Sequence, residues 1–285
     1  MRQAGLLPAV VVLVLSLSCR ETPGGRSKAS PAATEKRSAA AAPDMAPRPD
    51  THDPCRRVGR QTVTFTTDDG VALEADLYPA GPGSPAALLL HMIPPRHDRR
   101  DYPVRFIDAL LLRGITVLNL DRRGAGGSKG EAREAYRGPK GWLDAKAAHD
   151  FLRRRPCPVD VARLACVGAS NGTTSCVDFA VQAEKHEDVA TPRAVVLLTG
   201  GGYTEAQHRF RDHRPLLEKL PLLFVYGTAE ARWSLERKKG APGAWRFQEE
   251  RGLSKAAGHG TLVFRARPKS INAVAAFIGE ALGVK

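Results

Sequence analysis

A serine lies between two glycines near the middle of the chain. Residues 167–172 read VGASNG and contain the pattern G-x-S-x-G, with Ser170 at its centre. A serine hydroxyl attacks a carbonyl carbon only when a base takes its proton, and hydrolases often present such a serine on a tight turn that requires flanking glycines. Because so short a pattern also arises by chance, its meaning depends on the elements on either side of it.

Those elements fit a nucleophile turn. Residues 163–168 read RLACVG and predict a buried strand, and helical spacing begins after Gly172. Chance matches rarely fall between a strand and a helix, which is the context that such a turn needs. The sequence therefore predicts that Ser170 is a nucleophile.

Two more residues supply what a serine nucleophile lacks. His259 stands in AGHGT between two glycines, so its imidazole can approach another side chain without hindrance and act as the base. Glu230 follows the predicted strand 221–227 by three residues, and a carboxylate there would fix the tautomer of the imidazole. Asp212 is the alternative acid, although its basic neighbours indicate a surface charge cluster.

The rest of the pattern predicts an α/β fold with a doubly wound, mainly parallel sheet. Two alternating segments joined by Asp-Asp-Gly predict an antiparallel hairpin at the start of this sheet, over residues 61–67 and 71–79. Further strands are predicted at 86–92, 115–121, 163–168, 193–200 and 221–227, and helices at 101–114, 141–155, after 172, at 216–220 and at 271–282. Active sites in such sheets gather at the carboxyl ends of the strands.

Four motifs resemble those of the α/β-hydrolase superfamily. They are VGASNG (167–172), LDRRGAGGS (120–128), PLLFVYGTAE (221–230) and AGHGT (257–261), and they keep the superfamily's order of serine, acid and histidine. The resemblance covers about residues 60–285. It is greatest to the small dienelactone-hydrolase-like or carboxylesterase branch, although dienelactone hydrolases proper use a cysteine nucleophile.

The resemblance also implies an oxyanion hole built from two backbone N–H groups. One comes from Asn171 and the other from Ile93, chosen over Met92 in the loop after strand 86–92. Most relatives have His-Gly in this loop, whereas this chain has HMIPP, and His91 is expected to support the loop.

In function, the resemblance implies a serine hydrolase that cleaves carboxylic esters of small molecules through an acyl-enzyme. Asp121 and Arg123 are expected to brace the turn near the site. A thioesterase or peptidase would use the same triad, and a binding lipoprotein that kept the fold without the chemistry is the alternative from another class. Only about twenty residues separate the strands at 193–200 and 221–227, which predicts an open site for short acyl chains.

Cofactors, metals and nucleic acids are not expected. The histidines and cysteines do not fall at metal-ligand spacing, and no glycine-rich phosphate loop follows a first strand. The net charge of the 285 residues is +13, but the basic residues are dispersed in short groups and no nucleic-acid motif is present.

The first residues resemble a bacterial lipoprotein signal. Arg2 precedes an apolar stretch too short to span a membrane stably, and Cys19 follows it. This predicts a signal peptide at 1–18, lipidation of Cys19, a tether at 19–57 rich in Ala, Pro, Ser and charge, and a catalytic domain at 58–285. The protein is then exported and anchored by lipid to the cell envelope; a plain secretory signal is the alternative.

Four cysteines remain beyond Cys19. Cys55 and Cys157 lie in polar segments flanked by proline and are the better disulfide candidates. Cys166 and Cys176, on a strand and a helix, are expected to be buried small apolar residues. The pairing stays open.

Overall fold

Eight strands of the described residues form one sheet. The computed structural model describes residues 59–200 and 208–285. The strands are β1 (Gln61–Thr66), β2 (Ala72–Tyr78), β3 (Ala86–Leu90), β4 (Thr116–Leu120), β5 (Leu164–Ala169), β6 (Ala194–Leu198), β7 (Leu222–Gly227) and β8 (Trp245–Glu250). Their order is β1-β2-β4-β3-β5-β6-β7-β8. Strands β3 to β8 run parallel, while β2 is antiparallel to both of its neighbours. The predicted mainly parallel sheet with an antiparallel N-terminal hairpin is confirmed.

Helices cover both faces of this sheet. They are α1 (Val104–Leu111), α2 (Gly141–Arg154), α3 (Asn171–Ala183), α4 (Arg214–Leu217), α5 (Arg232–Lys238), α6 (Leu262–Ala266) and α7 (Lys269–Leu282). Apolar residues of α2 and α3 share one core with Leu88, and those of α1 and α7 share another with Leu89. Because neighbouring residues of a strand point to opposite faces, β3 must be apolar at every position.

Strand β8 was not predicted from the sequence. Its residues, WRFQEE, lie at the open edge of the sheet beside β7, and only Trp245 is fully buried. An edge strand with polar side chains has neither a continuous apolar run nor a clear alternation, so pattern reading finds no signal in it. The short helices α5 and α6 were also missed.

Cys166 and Cys176, which the sequence ranked behind Cys55 and Cys157 as disulfide candidates, are paired with each other. The two residues form a disulfide between β5 and α3, with their Cα atoms 5.8 Å apart. Both are fully buried, as expected for apolar residues, but the strand–turn–helix geometry also brings positions ten residues apart side by side. Cys157 is also disulfide-bonded. Cys55 lies outside the described residues, so its pairing with Cys157 stays a prediction.

The predicted signal peptide (1–18), the lipidation site Cys19 and the tether (19–57) all lie outside the described residues. Over residues 59–200 and 208–285, no helix has both the length and the apolar character needed to cross a bilayer.

Candidate active site

Ser170 occupies the turn between β5 and α3. Its backbone has φ 48° and ψ −116°, a region that residues with a side chain rarely adopt and that costs of order 1–3 kcal/mol. The turn is held by neighbouring strands and turns: the Ser170 N–H donates to the carbonyl of Leu198 (2.8 Å), and the Thr173 N–H donates to the carbonyl of Ser170 (3.0 Å). The strained turn therefore presents the serine at the carboxyl end of β5.

The two glycines of the motif are required by close backbone contacts. A Cβ atom at Gly168 would overlap the carbonyl oxygen of Gly172, and a Cβ at Gly172 would overlap the carbonyl oxygen of Leu90. Because the obstacles are main-chain atoms rather than flexible side chains, any larger residue would have to move a strand or the helix. The same contact places the end of β3 directly against the first turn of α3.

His259 connects Ser170 to Glu230. Its Nε2 lies 2.7 Å from the Ser170 Oγ, and its Nδ1 lies 2.5 Å from the Glu230 Oε2. A carboxylate accepts hydrogen bonds, so the proton of the neutral ring is assigned to Nδ1 and Nε2 is left to accept from the serine hydroxyl. The structure brings these three predicted residues together.

Different elements supply the acid and the histidine. Glu230 ends a 3-10 turn (Thr228–Glu230) that directly follows β7. His259 lies in the connection from β8 to α6. Asp212, the alternative acid, is exposed on another 3-10 turn, where it pairs with Arg211 at 3.1 Å rather than with the histidine.

The two predicted oxyanion donors lie in adjoining segments. Asn171 is the first residue of α3, where backbone N–H groups are free of partners within the helix. Ile93 follows the buried pair His91–Met92 and is itself partly exposed. The large Met92 packs against Gly260, where a Cβ atom would lie 2.5 Å from its sulfur, so a glycine in the histidine loop makes room for it.

His91 supports the loop as a neutral residue. Burial, together with the nearby Arg122 charge, lowers the pKa of its imidazole to about 3. The Arg122 N–H donates to Nε2 (2.9 Å), so the ring proton is on Nδ1, which donates to the carbonyl of Met92 (2.7 Å). The imidazole thus joins the loop after β3 to the loop after β4.

Asp121 and Arg123 hold the loop after β4. The Asp121 carboxylate accepts from the backbone N–H groups of Arg99 and Gly127, each at 2.8 Å. The Arg123 side chain is fully buried and donates to Asp144 (2.7 Å) and to Asp69 (2.9 Å). Both side chains therefore brace the turn.

Arg122, between these two residues, was missed by sequence reasoning. It is completely buried and hydrogen-bonded to both segments that carry the oxyanion donors, at the His91 carbonyl and the Asn171 side chain. It stands at the variable position of the D-x-R-G-x-G-x-S pattern, so no motif marks it.

Two cavities are lined by His259 and Glu230. One, of about 440 Å³, is lined by the aromatic Trp233 and by the charged Arg232 and Lys255. The other, of about 480 Å³, is mostly apolar and lies beside Met92, Ala256 and Leu262. Both cavities include His259, whose Nε2 lies 2.7 Å from the Ser170 Oγ. No group of His, Cys, Asp and Glu suited to a metal ion is found among the residues that the structure describes.

Solved structures of esterases and of an α/β hydrolase share this architecture. No family model and no curated protein matches the sequence. An esterase from Pyrococcus furiosus is 19% identical over 78% of this chain and 90% of its own, with a TM-score of 0.60. The α/β hydrolase GrgF from a Penicillium species is 15% identical over 79% and 100%, with a TM-score of 0.60. A thermostable carboxylesterase from a metagenomic library is 16% identical over 80% and 90%, with a TM-score of 0.59. At such identities the likeness establishes the fold, which is the α/β-hydrolase fold that the motifs predicted.

Proposed function

We propose that this protein is a serine hydrolase that cleaves carboxylic esters of small molecules through an acyl-enzyme. The observation that carries the proposal is the unbroken chain of hydrogen bonds from Ser170 through His259 to Glu230, with distances of 2.7 and 2.5 Å. The strained turn at Ser170 and the esterases among the similar structures support it further.

In the proposed reaction, His259 Nε2 takes the proton of the Ser170 hydroxyl while the oxygen attacks the ester carbonyl. Glu230 holds the Nδ1 proton and stabilises the imidazolium that forms. The backbone N–H groups of Asn171 and Ile93 receive the negative charge of the tetrahedral intermediate. Its collapse expels the alcohol, which takes the proton from Nε2. Water, activated by the same histidine, then releases the acid and restores the serine.

The substrate is expected to carry a short acyl chain. Strands β6 and β7 are separated by residues 199–221, and the described part of this connection, from residue 208, contains only a 3-10 turn and the short helix α4. A rate that falls steadily as the acyl chain lengthens from acetyl to decanoyl would support an open site. A maximum at long chains, with activation at a lipid interface, would contradict it.

A fluorophosphonate probe tests the proposed nucleophile directly. We expect the probe to label wild-type protein at Ser170. Ser170→Ala should abolish the labelling and lower the turnover of esters by about 10⁶-fold, while the thermal midpoint stays nearly unchanged. Full labelling of Ser170→Ala would place the nucleophile elsewhere. Wild-type protein that is neither labelled nor active on esters, thioesters or amides would favour the binding lipoprotein instead.

The proposed location is the cell envelope, with the membrane as a partner through a lipid on Cys19. The support is the sequence alone: Arg2, the apolar stretch and the cysteine that follows it. Wild-type protein should partition into detergent, and Cys19→Ser should release or misprocess it. Wild-type protein found entirely soluble after export would leave only the plain secretory signal.

A further inference from the structure

Arg122 joins the two walls of the proposed oxyanion hole. Its Nη1 donates to the side-chain oxygen of Asn171 (2.9 Å) and to the carbonyl of His91 (3.3 Å). Its Nη2 donates to the carbonyl of Ala135 (2.5 Å) and to the hydroxyl of Ser175 (2.7 Å). One planar guanidinium therefore connects the loop after β3, the first turns of α3 and the chain at Ala135.

The direct hydrogen-bond partners of this guanidinium are neutral, whereas the Asp144 carboxylate, which is bound to Arg123, acts on its charge through space. Every acceptor that the described residues offer it is a carbonyl, amide or hydroxyl oxygen. Burial lowers the pKa of Arg122 to about 10, so the group is still protonated at neutral pH. A buried cation whose hydrogen-bond partners are all neutral is costly to keep.

The position of Arg122 would let its charge stabilise the negative charge that forms on a substrate. Negative charge on the carbonyl oxygen of a substrate develops next to the N–H groups of Asn171 and Ile93, and a fixed cation in a buried site acts on such charge with little screening. The guanidinium also sets the distance between the two segments that carry these N–H groups, because it is hydrogen-bonded to both.

We propose that Arg122 is the positioning residue of the oxyanion hole: it fixes the two segments that carry the N–H groups, and its charge polarises them. This inference rests on the proposed function and deepens it, since an oxyanion forms only if Ser170 attacks a carbonyl. Arg122 touches no reacting atom; it acts through the backbone N–H groups that it places.

The neighbouring Arg123 provides a matched control. It is buried to the same degree, but its guanidinium binds the carboxylates of Asp69, Glu134 and Asp144 instead of the oxyanion walls. Replacing either arginine removes a buried cation and its hydrogen bonds, so both changes should lower the thermal midpoint. Only the loss of Arg122 should change catalysis at each correctly folded site.

The experiment compares Arg122→Met, Arg122→Lys and Arg123→Met with wild type on p-nitrophenyl acetate, with active sites counted by fluorophosphonate titration. We expect kcat per site to fall about 10²- to 10³-fold in Arg122→Met, with KM within about threefold, and to stay near wild type in Arg123→Met. Arg122→Lys should recover part of the loss, because an ammonium keeps the charge but cannot span both walls. The affinity for phenyl trifluoromethyl ketone, whose adduct carries the oxyanion, should weaken in parallel with kcat.

Asn171→Ala tests the same contact at a partly exposed position, in case Arg122→Met does not fold. It removes one acceptor for Arg122 and keeps the backbone N–H, so kcat should fall about tenfold, and the thermal midpoint should fall less than in Arg122→Met because Nη1 keeps the His91 carbonyl. Three results would overturn this inference and leave the proposed function standing. They are equal kcat per site in Arg122→Met and Arg123→Met, an unchanged affinity for the ketone in Arg122→Met, and an unchanged kcat in Asn171→Ala. Wild-type protein with neither ester hydrolysis nor labelling at Ser170 would overturn the proposed function, and this inference with it.

Discussion

The two sides of the candidate site are built in different ways. On the side of the proposed nucleophile, called the nucleophile side below, Ser170 is enclosed by main-chain contacts at Gly168 and Gly172 and by the disulfide between β5 and α3. On the other side, His259 and Glu230 come from surface connections, and the His259 side chain is 38% exposed against 12% for Glu230. The first side is fixed by backbone packing, and the second by hydrogen bonds between side chains.

Because of this difference, substitutions on the two sides should affect stability and turnover differently. A change on the nucleophile side that alters the main-chain packing of β3, β5 and α3 should lower stability, and it should lower activity as well where the turn itself moves. A change on the histidine–acid side should leave the packing intact and affect turnover alone. Each expectation below tests this separation, from the largest effect to the smallest.

On the histidine–acid side, the largest effect is expected at Glu230. Glu230→Gln keeps the size of the side chain but leaves the imidazole without a charged partner, so kcat should fall by about 10⁴-fold while the thermal midpoint stays near wild type. Glu230→Asp should keep part of the activity. The control is Asp212→Asn, which neutralises the other candidate acid at an exposed position and should behave as wild type. The reverse result for the two neutralised variants would make Asp212 the acid.

A pH effect is expected on the nucleophile side, at Asp178 of α3. Burial raises the pKa of this carboxyl to about 7, although a hydrogen bond from the His208 N–H lowers it in part. Because the folded pKa exceeds the unfolded value, this group stabilises the fold fully below about pH 4, and the contribution is lost as the pH rises through 7. The loss is at most about 4 kcal/mol.

Denaturant unfolding of wild type and Asp178→Asn between pH 4 and 8 measures this contribution. The asparagine keeps an acceptor for the His208 N–H but does not titrate, so the variant should gain stability relative to wild type as the pH rises. Parallel stability curves for the two proteins would contradict the expectation. Asp212→Asn, at an exposed carboxyl, serves again as the control.

The contrast between the two sides also explains what the sequence could predict. The turn at Ser170 was recognisable because its glycines, strand and helix are consecutive in the chain. Glu230 was found by its distance from the end of β7. Arg122 was not found, since its role depends on contacts with segments about thirty and fifty residues away, at His91 and Asn171. Strand β8 was missed for a different reason, its polar edge position.

The next test compares one glycine from each side. At Gly172 a Cβ atom would overlap the carbonyl oxygen of Leu90, whereas at Gly258 it would lie 3.0 Å from the Cα atom of Gly227. Gly172→Ala should therefore cost about 3 kcal/mol or more in unfolding free energy and most of the activity, since β3 and α3 must separate. Gly258→Ala should cost less in stability, because its closest approach, 3.0 Å against 2.3 Å at Gly172, requires a shift of only a few tenths of an ångström. Equal losses in chemical denaturation would refute the difference in packing.

The smallest effect is expected from the disulfide between Cys166 and Cys176. It closes a loop of about ten residues that contains Ser170, and a loop of that length contributes about 2–3 kcal/mol to stability. Either single alanine substitution breaks the whole bond, so the double variant should cost much less than the sum of the two single variants. Independent thiols would give additive losses in the unfolding free energy. The activity well below the thermal midpoint should stay near wild type, because backbone contacts at Gly168 and Gly172 still define the turn. A steep loss of kcat in the double variant would show that the turn depends on the disulfide and that packing alone does not fix the nucleophile.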